Sequence, residues 1–390
     1  MQVAIKGQYF YCLFLINFLI TFSFGINDSL FSLYYSGFEV SGALLGMAFT
    51  LYYFSKTALS PLSGRLIDKL GTKKVLFYAL FLYSVLSLMY LCIHDKYIIL
   101  ILRIFQGFAC ALFRPVMYCI IGNNVHCSVR GRSMGFFDIS FYSALAVSPI
   151  IGGIIKDISD YDTIFILMLV CCLMALLLTF FCLPVLRPAG VGEPGKSPGI
   201  SHKYNLLFSG LLVYIFFRGW GISCAAIVIP LYLDGMTFSK TGIGIILSLS
   251  ATTMALSLPF TGRLADITRK ETLIFIGGAA ASLCLMLIPR LSGLFPLMAA
   301  VTAGGFFSAL SQPSCSSLLV EIADNGSIGL IMGRFNFIMG LGAAVGAVTS
   351  SALFASFGVA LTLSVAGVMN IAASFIFAAM TERSFSLSSS

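Results

Sequence analysis

Two stretches, GRLIDKLGTKK at 64–74 and GRLADITRK at 262–270, stand 198 residues apart (262 − 64) and share the order Gly-Arg-Leu-x-Asp. The same offset carries Leu33, Tyr34, Gly37, Ser41 and Gly46 onto Leu231, Tyr232, Gly235, Ser239 and Gly244. It carries Gly107 and Pro115 onto Gly305 and Pro313, and Met134, Gly135 and Phe137 onto Met332, Gly333 and Phe335. A single gap-free offset held across half the chain marks an internal duplication. Two copies in the same direction predict two parallel halves, which typically place a substrate site at their interface near the bilayer midplane.

The halves are written in apolar residues. The chain has 390 residues, of which 59% are apolar and 10% charged, against 45–50% and about 25% in ordinary soluble domains. Mean hydropathy is +1.00. A spanning helix needs about 20 mostly apolar residues. Runs of that kind fall at 9–35, 40–62, 75–93, 97–121, 133–156 and 162–184, and again at 204–233, 241–261, 272–289, 294–320, 331–355 and 358–380. Without period-2 alternation they suit helices, not a barrel. The expectation is therefore an all-α membrane protein of twelve transmembrane helices. Its parts are an N-terminal six-helix half at 1–184, a Pro- and Gly-rich central linker at 185–203 and a C-terminal six-helix half at 204–390. The closing SFSLSSS reads as a disordered tail. The 11 cysteines lie mostly inside apolar runs and read as small apolar fillers, not a metal site or disulfide framework.

The net charge of +8 sits mainly in loops, which favours membrane orientation over nucleic-acid binding. With the N-terminus cytoplasmic, that side holds Lys6, Arg65, Lys69, Lys73, Lys74, Arg130, Arg132, Arg187, Lys196, Lys203, Arg263, Arg269, Lys270, Arg334 and Arg383. The opposite side holds Lys96, Lys156, Lys240 and Arg290. Such an imbalance predicts both termini cytoplasmic. The loop at 64–74 needs a tight turn, hence Gly64 and Gly71, and its copy repeats the first glycine as Gly262. They also carry a carboxylate, Asp68 or Asp266. The cations Arg65, Lys69, Lys73, Lys74 and Arg263 can bond helix C-termini and acidic neighbours on one face. Contacts of that kind can hold a face shut and release it during rocking; the plainer reading is positive-inside anchoring.

These motifs resemble the major facilitator superfamily, and within it the drug:proton antiporter type. The 64–74 loop looks like the superfamily's motif A, and Arg103 with Gln106-Gly107 looks like motif B. Gly135, Ala144, Ser148, Pro149, Gly152 and Gly153 look like the antiporter motif C, with Ala and Ser in place of two usual glycines. The resemblance covers the whole chain. It implies a secondary transporter of a bacterial cytoplasmic (inner) membrane, working by alternating access without a cofactor. It implies proton-coupled efflux; the alternative is a proton-coupled importer of an organic anion or metal chelate.

Ionisable residues inside a membrane are costly and are functional by default. There are six: Asp28, Lys56, Arg103, Arg114, Asp138 and Arg218. In the fold that the chain resembles, helices 1 and 4 line the cavity, and Asp28 and Arg103 lie at similar depths. They are candidates for proton coupling, although Asp28 could serve sodium equally. Arg114 and Asp138 form a second candidate pair. The offset of 198 maps them onto Gln312 and Asn336, neutral and nearly isosteric. Asp28 and Arg103 map onto Ala226 and Val301. Charge chemistry is thus concentrated in the N-terminal half. Arg218, beside Trp220, has no acidic residue in its own helix and needs an anion, water or a carbonyl. With Lys56 it makes the interior net positive, which points to a solute bearing an anionic group. No nucleophile–base pair, metal-ligand spacing or phosphate loop appears, which argues against an enzyme. Two six-helix halves already complete one pathway, so a monomer embedded in lipid suffices.

Overall fold

The computed structural model describes residues 7–124, 130–183, 205–322 and 328–389. The central linker falls outside them. The first six helices are α1 (Gly7–Ser36), α2 (Gly42–Leu70), α3 (Thr72–Cys92), α4 (Lys96–Asn124), α5 (Arg130–Ile158) and α6 (Tyr161–Cys182). Then follow α7 (Asn205–Gly235), α8 (Lys240–Ile267), α9 (Lys270–Leu287), a 3-10 turn (Ile288–Arg290), α10 (Leu294–Ile322) and α11 (Ile328–Ser389). The last, 62 residues long, breaks at Gly358, whose φ of 76° suits glycine. The break falls where the apolar runs 331–355 and 358–380 meet. Among the described residues there is no strand. Ten of the helices are long and apolar enough to cross a membrane. The helix α2, which carries Lys56, Arg65, Asp68 and Lys69, is not among them.

Two expectations need correction. Gly64 does not make a turn: it lies inside α2, as its counterpart Gly262 lies inside α8. The turn is made by Gly71 alone, at φ 83°. The tail is not irregular through 384–389, because α11 runs on to Ser389.

The chain packs as two compact units. The first holds Met1–Glu39, Leu51–Glu193 and Thr237–Ser248; the second holds Val40–Thr50, Pro194–Met236 and Leu249–Ser390. A division by chain order would have left 40–50 with the first and 237–248 with the second. In the first unit α1 packs on α5 and α6, and α3 on α4 and α6. In the second, α7 packs on α11, and α9 on α10 and α11.

The repeat reaches individual contacts. A Cβ at Gly107 of α4 would collide with the Tyr52 carbonyl of α2. A Cβ at Gly305 of α10 would collide with the Ser250 carbonyl of α8, at the same offset. Gly25 of α1 faces the Ser148 hydroxyl of α5, while in the second unit Ser223 of α7 presents its hydroxyl to Gly346 of α11. The small partner has changed sides and the closeness has been kept. Small residues matter here because lipid gives no hydrophobic drive between helices, so association rests on close backbone packing. Large apolar side chains such as Phe181, Phe295 and Leu256 are exposed, as a lipid-facing surface requires.

Candidate functional site

In the first unit, α1 and α4 bring Asp28 and Arg103 together. Arg103 Nη1 donates to Asp28 Oδ1 at 2.6 Å. Gln106, one turn on from Arg103, donates to the same oxygen at 3.1 Å. Its Oε1 accepts from Arg103 at 3.0 Å and from the Tyr90 hydroxyl of α3 at 3.1 Å. The guanidinium carbon stands 3.2 Å from the centre of the Phe31 ring. Arg103 is 1% exposed and the Asp28 side chain 35%. The carboxylate is therefore the open end of a sealed cation.

That asymmetry decides what the pair can do. Removing one partner of a buried ion pair typically costs about 3–5 kcal/mol, because a buried charge is left uncompensated. Here the cation keeps neutral partners when Asp28 is neutralised. The Phe31 face can contribute up to about 2 kcal/mol when desolvated, and the Gln106 oxygen remains.

Arg114 and Asp138 also lie close, but Tyr118 stands between them. Its hydroxyl donates to Asp138 Oδ1 at 2.7 Å and is hydrogen-bonded to Arg114. Arg114 also lies 4.1 Å from the centre of the Phe141 ring. The sequence did offer a signal, since Tyr118 follows Arg114 by four residues and shares its helix face. The neutral counterparts do not repeat this pairing. Gln312 is half-buried on α10, Asn336 is exposed on α11, and among the described residues no hydrogen bond joins them.

In the second unit Arg218 of α7 is 8% exposed. Its Nη1 donates to Ser311 Oγ of α10 at 2.9 Å, and Tyr214 of the same helix and Cys315 of α10 are polar neighbours of it. Among the described residues no carboxylate forms an ion pair with it. Trp220 stacks on Phe217 at 5.6 Å and donates Nε1–H to Ser350 Oγ at 3.2 Å. Lys56, half-buried on α2, lies 5.7 Å from the centre of the Tyr52 ring.

The small residues of α5 serve two helices. Gly152 faces Ile26 and Leu30 of α1, and Gly153 faces the Lys240 carbonyl of α8. Pro149 presents its carbonyl to Gly244 of α8. Ala144 and Ser148 are fully buried. The lost glycine at 148 is offset by Gly25 across the contact. In the 64–74 segment, Lys73 bonds the Leu183 and Phe180 carbonyls at the C-terminal end of α6. There a cation complements the helix dipole. Lys270 pairs with Glu321 of α10. Arg65, Lys74 and Arg263 are exposed. The side chains of Asp68 and Asp266 lie outside the described residues.

Sequence comparison now bears on this geometry. The profile of the Major Facilitator Superfamily matches residues 13–217 and 211–388. The chain belongs to the major facilitator superfamily. Within this superfamily it is 26% identical over 350 residues to the multi-drug resistance efflux pump PmrA homolog of Lactococcus lactis, covering 86% of this chain and 85% of that protein. It is 25% identical over 142 residues to the quinolone resistance protein NorA of Staphylococcus aureus, a match spanning 36% of this chain and 37% of NorA. Among solved superfamily structures, a POT family transporter in complex with a thioalcohol-conjugated peptide superposes with a TM-score of 0.81 at 13% identity. It covers 98% of this chain and 99% of its own. A D-xylose–proton symporter gives 0.79 at 15% identity, with 95% and 97% covered. At such identities the structures establish the fold alone. The chain is thus a transporter similar to drug efflux pumps of this superfamily, not an enzyme, and a multi-pass integral protein of a bacterial inner membrane.

Proposed function

We propose that this chain exports a small organic solute by alternating access against proton entry, with Asp28 as the proton-carrying group. The observation that carries the reading is the open Asp28 carboxylate on the sealed Arg103. Protonation of Asp28 releases Arg103 to its Phe31 and Gln106 partners, and deprotonation restores the pair. Gln106 keeps the guanidinium aimed at the carboxylate throughout. The pump names of the relatives and the preserved close packing around Ser148 support export over import. Membership of the superfamily supports an ion gradient as the driving force. A membrane potential supplies about 2.3 kcal/mol per charge per 100 mV, and a tenfold solute gradient needs about 1.4 kcal/mol. One or two protons per cycle are enough.

Arg218 gives the solute class. An arginine at a helix centre costs about 2.5–3.5 kcal/mol on insertion scales. Interhelical hydrogen bonds in membranes average about 0.6 kcal/mol, so the bond to Ser311 of α10 leaves a deficit. An anionic group on the solute removes it through charge-assisted bonds. Phe217 and Trp220 stand one turn from each other on α7 and stack at 5.6 Å, but at one and two residues from Arg218 they do not share its helix face. One assay tests the whole reading: a panel of anionic, zwitterionic and cationic solutes is added to vesicles holding the purified protein, and proton movement is followed. Protons driven opposite to an anionic solute are expected. Protons that travel with the solute make the chain a symporter, and a response restricted to cationic solutes removes Arg218 as the grip. A sodium gradient that replaces the proton gradient in full assigns Asp28 to sodium.

A further inference from the structure

The contact between the end of α5 and the start of α8 has a repeat-related counterpart between α11 and α2. The offset of 198 maps Gly46 onto Gly244, Gly42 onto Lys240, Pro149 onto Ala347 and Gly153 onto Ser351. In the first unit Gly244 meets the Pro149 carbonyl and Gly153 meets the Lys240 carbonyl. In the second unit Gly46 meets the Ala347 carbonyl, and Gly42 meets Ser351. The backbones approach in the same way twice. What differs is the last position. Asp157 maps onto Ala355. The Asp157 carboxylate accepts the backbone N–H of Lys240 at 2.9 Å and of Thr241 at 2.7 Å. Ala355 offers only its methyl group to Gly42.

Each helix also has its own cap: Ser239 accepts from Gly242 at 3.0 Å, and Ser41 from Leu44 at 3.3 Å. The first four N–H groups of a helix lack partners within it. On α8 the carboxylate of another helix fills two of those places, beside the positive end of the helix dipole. Among the described hydrogen bonds, nothing does so for Gly42 and Ala43 on α2. A cap of this kind needs no second helix, since a residue before α8 could provide it. Its placement on α5 ties α8 to α5 beside the two close backbone contacts already made there.

We propose that Asp157 is a latch: it holds the first turns of α8 on α5 and sets the share of molecules closed at that end. By the Lys and Arg count this is the outer end. The inference rests on the alternating-access reading, in which that end opens once per cycle by parting α8 from α5 and α2 from α11. Asp157 is a positioning residue, since it touches neither solute nor proton site. It supplies to one contact a charge-assisted closure that the other lacks.

Hydrogen exchange of the full-length protein in lipid nanodiscs tests this, read at 238–246 and separately at 42–50. In D157A, exchange at 238–246 is expected to rise roughly two- to thirtyfold, the range given by a lost cap at tenfold per 1.4 kcal/mol. Exchange at 42–50 is expected to rise with it, although Asp157 makes no hydrogen bond there. D157N is expected to raise exchange less than D157A, because its single amide oxygen keeps one of the two N–H bonds while the charge at the helix end is lost. The reciprocal variant A355D, with a carboxylate at the uncapped position, is expected to slow exchange at both segments. A rise in D157A confined to 238–246 makes Asp157 a local cap and overturns the latch, as does no rise at all. If both segments respond yet no solute drives protons, the latch stands and the export reading falls.

Discussion

Gly107 presses α4 onto Tyr52 of α2 in the first unit, and Gly305 presses α10 onto Ser250 of α8 in the second. Near these shared contacts the charges differ. Arg103 has a carboxylate at 2.6 Å, whereas Arg218 has a serine hydroxyl at 2.9 Å. Gly25 faces Ser148 in one unit, and Ser223 faces Gly346 in the other, so the frame tolerates exchange of a small residue across a contact. The charges show no such exchange: Asp28 maps onto Ala226, Arg103 onto Val301 and Arg218 back onto Ile20. Duplication has kept the packing and let the chemistry diverge. One unit holds an arginine paired with a carboxylate, and the other holds an arginine that forms no ion pair among the described residues.

Substitutions can break that comparison or sharpen it. D28N has the largest expected effect, with solute-driven proton movement falling to background while solute exchange down its own gradient persists. The matched pair G107V and G305V should be almost as severe, and alike. Forcing extra carbons into a packed contact costs about 1–3 kcal/mol, occasionally more. Thermal unfolding in detergent should show similar losses for both, and unequal losses would mean the frames are less alike than the contacts indicate. R218Q should weaken binding of anionic solutes about ten- to hundredfold, the loss of one charge-assisted grip. Neutral solutes should bind as before, as read by tryptophan quenching at Trp220. Y118F, which removes the hydroxyl between Arg114 and Asp138, should change turnover by less than about threefold, the worth of one interhelical hydrogen bond near 0.6 kcal/mol.

Much of the frame was legible in the sequence because it repeats. Gly107 and Gly305 share a position in the duplication, and only a glycine permits so close a backbone approach. The Asp28–Arg103 pair was legible because charge is scarce in apolar runs and the two residues lie at similar depth. Its orienting partners were less so: Gln106 was marked only as part of the motif B resemblance, and nothing local marks Tyr90 as facing the pair. Tyr118 was missed because a tyrosine in a run rich in aromatics reads as packing. Ser311 was missed for the same reason among the many serines of α10. Asp157 looked like a loop carboxylate, since its role depends on the start of α8, 83 residues further along. Gly64 misled in the other direction, because a glycine beside charges suggests a turn, yet α2 stays helical through it to Leu70.

The central claim is that the open carboxylate of the first unit carries the proton. The most direct measurement compares wild type and D28N in sealed vesicles, following internal pH as an anionic solute is added to one side. The account predicts proton movement opposite to the solute in the wild type and none in D28N, with solute exchange intact in both. Full proton movement in D28N would contradict it and move the proton site elsewhere, with Asp138 the first residue to examine.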